Sequence, residues 1–134
     1  MSLVSRKGLL AIAAVLDVAI HAGERPVSAK ALAARHALPP RHLEPVLQAL
    51  VRDGILKGIR GPRGGYILAR PQNQVTAEDI LHAADTATEG DEPALASPLV
   101  STVVRPALAP AERSFAAVLR EITVEQMVQK ARAA

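Results

Sequence analysis

Leu9, Ile12, Leu16 and Ile20 recur at helical spacing, with Val15, Val18 and Ala19 on an adjoining stripe. The pattern predicts a first helix from about Leu3 to His21, apolar around most of its girth, which must therefore be covered on two sides. Gly23 supplies a stop. Pro26 and Val27 then lead to Ser28, a residue suited to cap a short second helix ending near His36. After the break Ala37-Leu38-Pro39-Pro40, the positions Leu43, Val46, Leu47, Leu50 and Val51 fit a third helix that stops at Asp53-Gly54. The order is helix, short helix, four-residue turn, helix.

Two runs of strand-forming residues follow, Ile55 to Arg60 and Tyr66 to Arg70, around the glycine-rich turn Gly61-Pro62-Arg63-Gly64-Gly65. Together they predict a β-hairpin. Thr76 caps a fourth helix with Glu78 and Asp79 in its first turn, running to about Thr86 and turning Ile80, Leu81, Ala83 and Ala84 inward. From Ala87 to Pro98 the composition is that of a loop. Leu99 to Leu108 is apolar but interrupted by Pro106 and followed by Pro110, whereas Ala111 to Glu121 reads as an amphipathic helix. Thr123-Val124-Glu125-Gln126 has the spacing of a capping box that starts a last helix. These C-terminal helices carry more apolar surface than so small a chain can hide alone.

The chain is 134 residues long, 49% hydrophobic and 22% charged, which suits one compact core with a helical appendage and argues against a disordered tail. It has no cysteine, which excludes disulfides, thiol catalysis and cysteine-held metal or iron–sulfur sites. The most apolar stretch, Gly8 to Ala22, is broken by Asp17 and His21 and falls short of the roughly 18–20 residues needed to cross a bilayer. Asp17 within that run also argues against an export signal, so the expectation is a cytoplasmic protein that does not enter a membrane. His21, His36, His42 and His82 lack the paired spacing of a metal site. The glycine-rich turn lacks the lysine and hydroxyl of a phosphate-binding P-loop, and no serine occupies a nucleophile elbow. No enzyme is expected, and no cofactor.

Charge divides the chain unequally. Residues 1–70 hold eleven Lys and Arg against four acids, net +7, while residues 71–134 hold five against nine, net −4. A basic front end facing phosphate and an acidic remainder facing something else is one account; two ordinary solvated faces is the other. The helical pair and glycine-turned hairpin favour the first. A winged helix-turn-helix places one helix in the major groove of DNA and a basic loop beside it.

The groove-entering element would start at Pro40-Arg41-His42, with Arg41 suited to guanine and Glu44 orienting Arg41 or capping the helix. Arg60 and Arg63, held by Gly61 and Gly64, suit a narrow minor groove, and Ser28 and Lys30 suit phosphates. Solvated hairpin arginines are the plainer alternative. With Tyr66 and Phe115 as the only aromatics, the chain lacks a stacking platform for single strands, so duplex DNA is the expected partner.

Lys7-Gly8 with Ala11-Ile12, Leu16-Asp17-Val18-Ala19, Val27-Ser28, Leu43-Glu44 and above all Arg60-Gly61-Pro62-Arg63-Gly64-Gly65-Tyr66-Ile67-Leu68-Ala69-Arg70-Pro71 resemble the bacterial winged-helix regulators that include IscR, NsrR, CymR and BadM. Val75-Thr76-Ala77-Glu78-Asp79-Ile80 continues the likeness, which covers about residues 3–86; Ile122-Thr123-Val124 fits weakly. The resemblance implies a homodimer paired through C-terminal helices and a roughly palindromic operator. It also implies DNA contacts at Arg41, His42, Glu44, Arg60, Gly61 and Arg63. Many relatives hold an iron–sulfur cluster through three cysteines in the segment matching about Asp85 to Pro110, where this chain has none, so cluster sensing does not transfer. Pro39 and His42 replace a serine cap and an aromatic residue. Pro45 follows Glu44, so an irregular first turn from Pro40 to Glu44 is expected.

The resulting expectation is a mainly α fold with a small β-hairpin: a winged helix-turn-helix DNA-binding domain over residues 1–86, then a loop and C-terminal dimerisation helices over 87–134. It would act as a dimeric repressor without an iron–sulfur cluster. A small-molecule or protein effector would be received at Ala87–Pro98 and Leu99–Leu108. The rival reading keeps the fold but has it bind a partner enzyme instead of DNA.

Overall fold

The computed structural model describes residues 3–23, 25–86 and 97–134. Eight elements follow in order: α1 (Arg6–His21), α2 (Ala29–Arg35), α3 (Pro40–Arg52), β1 (Leu56–Ile59), β2 (Gly65–Leu68), α4 (Ala77–Thr86), α5 (Arg105–Leu119) and α6 (Val124–Ala133). A 3₁₀ turn at Gln72–Gln74 precedes α4, and a π-helical turn at Val100–Val104 runs directly into α5. The fold is mainly helical with a two-stranded antiparallel hairpin, as the pattern predicted.

α1 begins three residues later than expected because Ser5 caps it, its hydroxyl accepting from the Gly8 N–H at 3.0 Å. The face it buries also differs from the expected stripe. Ala11, Ala14, Val15 and Val18 are fully enclosed, whereas Ile12, Leu16 and Ile20 are half-buried and Leu9 is exposed. An all-round apolar helix gives periodicity no side to choose, and the small alanines let α3 and α4 approach closely. Gly8 serves the same end, since a Cβ there would lie 2.7 Å from Leu81 Cδ2.

The helix-turn-helix is closed by two similar turns with different residues at their critical point. At the end of α3, Gly54 adopts φ +75° while its N–H donates to Val51 O and that of Ile55 to Leu50 O, both within 3.0 Å. At the end of α2, Leu38 N–H donates to Ala33 O and Ala37 N–H to Ala34 O, which is the same six-to-one and five-to-two closure. Here an alanine holds the left-handed conformation, φ +53°, where glycine would be unstrained.

α3 runs continuously from Pro40 to Arg52 with Pro45 inside it. Its entry is tightened, the His42 N–H donating to Pro39 O three residues back, and no side chain caps it. The first turn is thus wound more closely than an α-helix but remains helical. Leu43, Val46, Leu47 and Leu50 anchor it in the core.

The hairpin pairs Leu56 with Leu68, Lys57 with Ile67, Gly58 with Tyr66 and Ile59 with Gly65, so its strands are shorter than the predicted runs. A third segment joins it: Val27 N–H donates to Tyr66 O at 3.0 Å and Tyr66 N–H to Val27 O at 2.8 Å. The residue before the α2 cap is thereby stitched to the hairpin. Gly65 permits this, because a Cβ there would meet Val27 O at 2.4 Å.

The C-terminal region departs most from expectation. The helix expected from Ala111 starts at Arg105 and continues from the π turn, passing through Pro106 and Pro110. A proline ring clashes with the carbonyl four residues earlier, and the wider turn just before Pro106 moves that carbonyl away. Most of the predicted loop at 87–98 lies outside the described residues. α6 returns to the core. Ala77 N–H donates to Ile122 O at 2.8 Å, Val124 N–H to Val75 O at 2.9 Å, and Val124 and Val128 are buried beside α1. Thr123 and Gln126 make the predicted capping box.

Candidate nucleic-acid interface

α1 and α2 are locked together by one buried carboxylate. Asp17, 7% exposed, receives Arg35 Nε at 2.9 Å on Oδ2 and Arg35 Nη2 at 2.5 Å on Oδ1, a two-pronged pairing, and His36 Nε2 lies 3.0 Å from Oδ2. An ionised carboxylate only accepts, so His36 carries its proton on Nε2. Burial pushes the Asp17 pKa upward, but the Arg35 fork and its charge, the His36 contact and the nearby His21 outweigh it and hold the carboxyl below its ordinary value. The same fork raises the Arg35 guanidinium. Sequence reading missed this cluster; the signal was a lone acid at the inward position of an apolar helix, eighteen residues from a base.

Ser28 occupies the α2 cap predicted for it, its hydroxyl accepting from the Ala31 N–H at 3.0 Å, which leaves its proton free to donate outward. Lys30 is exposed on α2. Pro40 is the first residue of α3, and Arg41, His42 and Glu44 are exposed along it, opposite the buried leucines.

Arg60 leaves β1 exposed, and Arg63 projects from the turn, which closes through Gly64 N–H to Gly61 O at 2.9 Å. Glycine is required twice here. Gly61 has φ +116°, and a Cβ on Gly64 would meet Ile59 O at 2.1 Å.

The fold gathers these residues into separate basic grooves. Ser28, Arg63 and Gly64 line one with His21, Arg25 and Arg35, so the wing tip lies beside the start of α2. Arg41 and His42 line another with Arg6 and Lys7 over an apolar floor of Leu10, Leu38 and Pro45. Arg60 and Gly61 flank a third depression on the hairpin. Lys30 and Glu44 line none of these three grooves.

Arg6 and Lys7 were not singled out as contacts from sequence, although adjacent cations in the first turn of a helix oppose its dipole and so pointed to a role outside α1. Among the described residues no group of three or more His, Cys, Asp or Glu could hold a metal ion, and no helix is long and apolar enough to cross a membrane.

The Rrf2 family profile, described as that of an iron-dependent transcriptional regulator, matches residues 4–130. The chain is 31% identical over 83 residues to the HTH-type transcriptional regulator IscR of Photorhabdus laumondii, a match covering 62% of this chain and 51% of the relative. It therefore spans about half the length of the IscR relatives it matches. A Synechocystis protein assigned to the HTH-type regulators is 34% identical over 131 residues, 94% of this chain and 87% of its own. Among solved structures, T. potens IscR superposes with a TM-score of 0.72 at 34% identity, covering 96% of this chain and 87% of that one. The global cysteine regulator CymR of B. subtilis gives 0.72 at 26% identity over 97% and 98%.

The iron in the profile's description does not fit a cysteine-held cluster here. The chain offers no thiolate, and in the described part of the corresponding segment the hydroxyls of Ser101 and Thr102 are turned back onto the Pro98 carbonyl.

Proposed function

We propose that this chain, which belongs to the Rrf2 family of transcriptional regulators, binds duplex DNA as a homodimer and regulates transcription without an iron–sulfur cluster. The observation that carries the reading is the tie between the hairpin and the residue before the α2 cap, which fixes a basic wing against a helix-turn-helix whose third helix turns Arg41, His42 and Glu44 outward. α3 enters the major groove, with Arg41 on base edges and His42 and Glu44, neither of them paired with Arg41 in the free chain, meeting bases or phosphates beside it. Arg60 and Arg63 enter the flanking minor groove, with Gly61 and Gly64 shaping the loop. Ser28, Lys30, Arg6 and Lys7 meet phosphates, and Pro40 sets the entry of α3.

We assign DNA reading to residues 1–86 and pairing of copies to residues 87–134, through the part that precedes α6, because α6 buries Val124 and Val128 in the chain's own core. Leu99, Val103, Leu108 and Val118, each more than half exposed, supply the apolar surface a second copy would cover. An operator with two-fold symmetry follows from such a pair. The expected sign is repression. The effector expected at 87–108 would act from the arm that pairs the copies, altering the separation of their α3 helices; a thermal-shift and pull-down screen that found neither ligand nor partner would remove it.

Selection of genomic fragments by the purified protein tests the whole reading. Enrichment of sites with two similar halves supports it; no enrichment at low salt refutes it. The rival in which the fold binds a partner enzyme predicts that DNA from upstream of its own gene displaces nothing.

A further inference from the structure

Among the outward residues of α3 not implicated above is Gln48. Gln48 is exposed, four residues after Glu44 and seven after Arg41, so helix geometry places it within about 40° of the first and about 20° of the second. Leu43, Val46, Leu47 and Leu50 hold the opposite face in the core, which leaves this stripe no freedom to rotate inward. The Gln48 amide has no hydrogen-bond partner within the described chain, whereas Arg52, the next residue along the stripe, lies toward Asp53 at 3.9 Å.

Gln48 therefore presents a free donor and acceptor side by side. In the major groove an adjacent acceptor and donor, N7 and the N6 amino group, belong to adenine. A neutral amide releases no counterion, so what Gln48 could add to a protein–DNA contact is discrimination and not bulk attraction.

We propose that Gln48 is a specificity-determining residue that reads an adenine in each half-site by paired hydrogen bonds to N6 and N7. The inference rests on the DNA-binding reading of α3. Along the helix axis Gln48 lies about 6 Å past Glu44. The adenine it reads is accordingly displaced by one to two steps, at about 3.4 Å each, from the base pair nearest Glu44. Pro45, exposed between them, adds no polar group that would compete.

The test is selection from a random duplex library with the wild-type chain, Gln48→Ala and Gln48→Leu. The wild type should enrich adenine at one column of each half-site, and both variants should flatten that column while keeping the rest of the motif and the salt dependence. Loss of adenine discrimination by about tenfold is expected. Placing 7-deazaadenine in that column, which removes N7 alone, should weaken the wild type several-fold and leave Gln48→Ala unmoved.

A motif identical in all three proteins, or equal losses on 7-deazaadenine, overturns the assignment of Gln48 while leaving DNA binding by the chain intact. If the wild type enriches no sequence at all, the underlying DNA-binding reading fails, and this inference with it.

Discussion

Removing both wing guanidiniums, Arg60→Ala with Arg63→Ala, tests how the hairpin contributes. The turn does not depend on these side chains. Its shape comes from the Gly64 to Gly61 hydrogen bond, the positive φ of Gly61 and the backbone approach at Gly64, and both arginines are exposed. Stability should therefore change by no more than about 0.5 kcal/mol. DNA binding should change in a specific manner. Each cation that neutralises a phosphate contributes about −0.9 to the slope of log affinity against log salt, so two per wing contribute up to about −1.8. The double variant should bind its operator more weakly at low salt and show a slope flatter by about one to two units for each wing that docks. Fluorescence anisotropy on a labelled operator across about 0.05–0.2 M salt reads both quantities. Lys130→Ala with Arg132→Ala, exposed on α6, removes the same charge away from the proposed contacts and should leave the slope unchanged. Equal affinity and equal slope in the wing variant would show that the hairpin does not touch phosphate.

Asp17→Asn should destabilise the chain by about 1–3 kcal/mol at pH 7, less than a fully buried pair because Arg35 is 38% exposed. The Asp17 pKa is depressed on folding, so its contribution is complete above the unfolded value of about 4 and disappears as pH falls through the lower native value. Urea titrations of wild type and variant should therefore converge in acid, and a constant difference down to the lowest pH would contradict the assignment. Ala37→Gly should stabilise by about 0.5–1 kcal/mol, the relief of left-handed strain exceeding the added freedom of the unfolded chain; a loss of stability would mean the alanine is not strained. Gly65→Ala should uncouple the hairpin from Val27, seen as faster hydrogen exchange at the Val27 and Tyr66 amides together with weaker operator binding, and unchanged exchange would refute it. Val103→Asp with Leu108→Asp should shift the protein to monomer by sedimentation without unfolding it, whereas a persistent dimer would place the interface elsewhere.

The hairpin and the helix-turn-helix were legible because their signals are local. Glycines at 54, 61 and 64 and caps at Ser28, Thr76 and Thr123 act over three or four residues, and α3 has a sharply two-sided pattern that names its own buried face. Other features needed the third dimension. α1 is apolar all round, so only packing against α3 and α4 determined that Ala11 and Ala14, not Leu9, turn inward. The prolines at 106 and 110 suggested a broken segment, and the chain instead widened one turn to keep the helix going, a choice that depends on where freed carbonyls can go.

Local rules could not pair Asp17 with Arg35 and His36, bring Arg6 and Lys7 beside Arg41 and His42, or return α6 to the core through the Val75–Val124 contact. Each of these joins residues far apart along the chain, and one sequence alone carries no record of which distant positions meet. What the sequence determined by itself was the set of elements and their order, since helix periods, caps and turn glycines are short-range physics. Tertiary packing decided which face of each element is inside, and so which charged residues are left together on the outside.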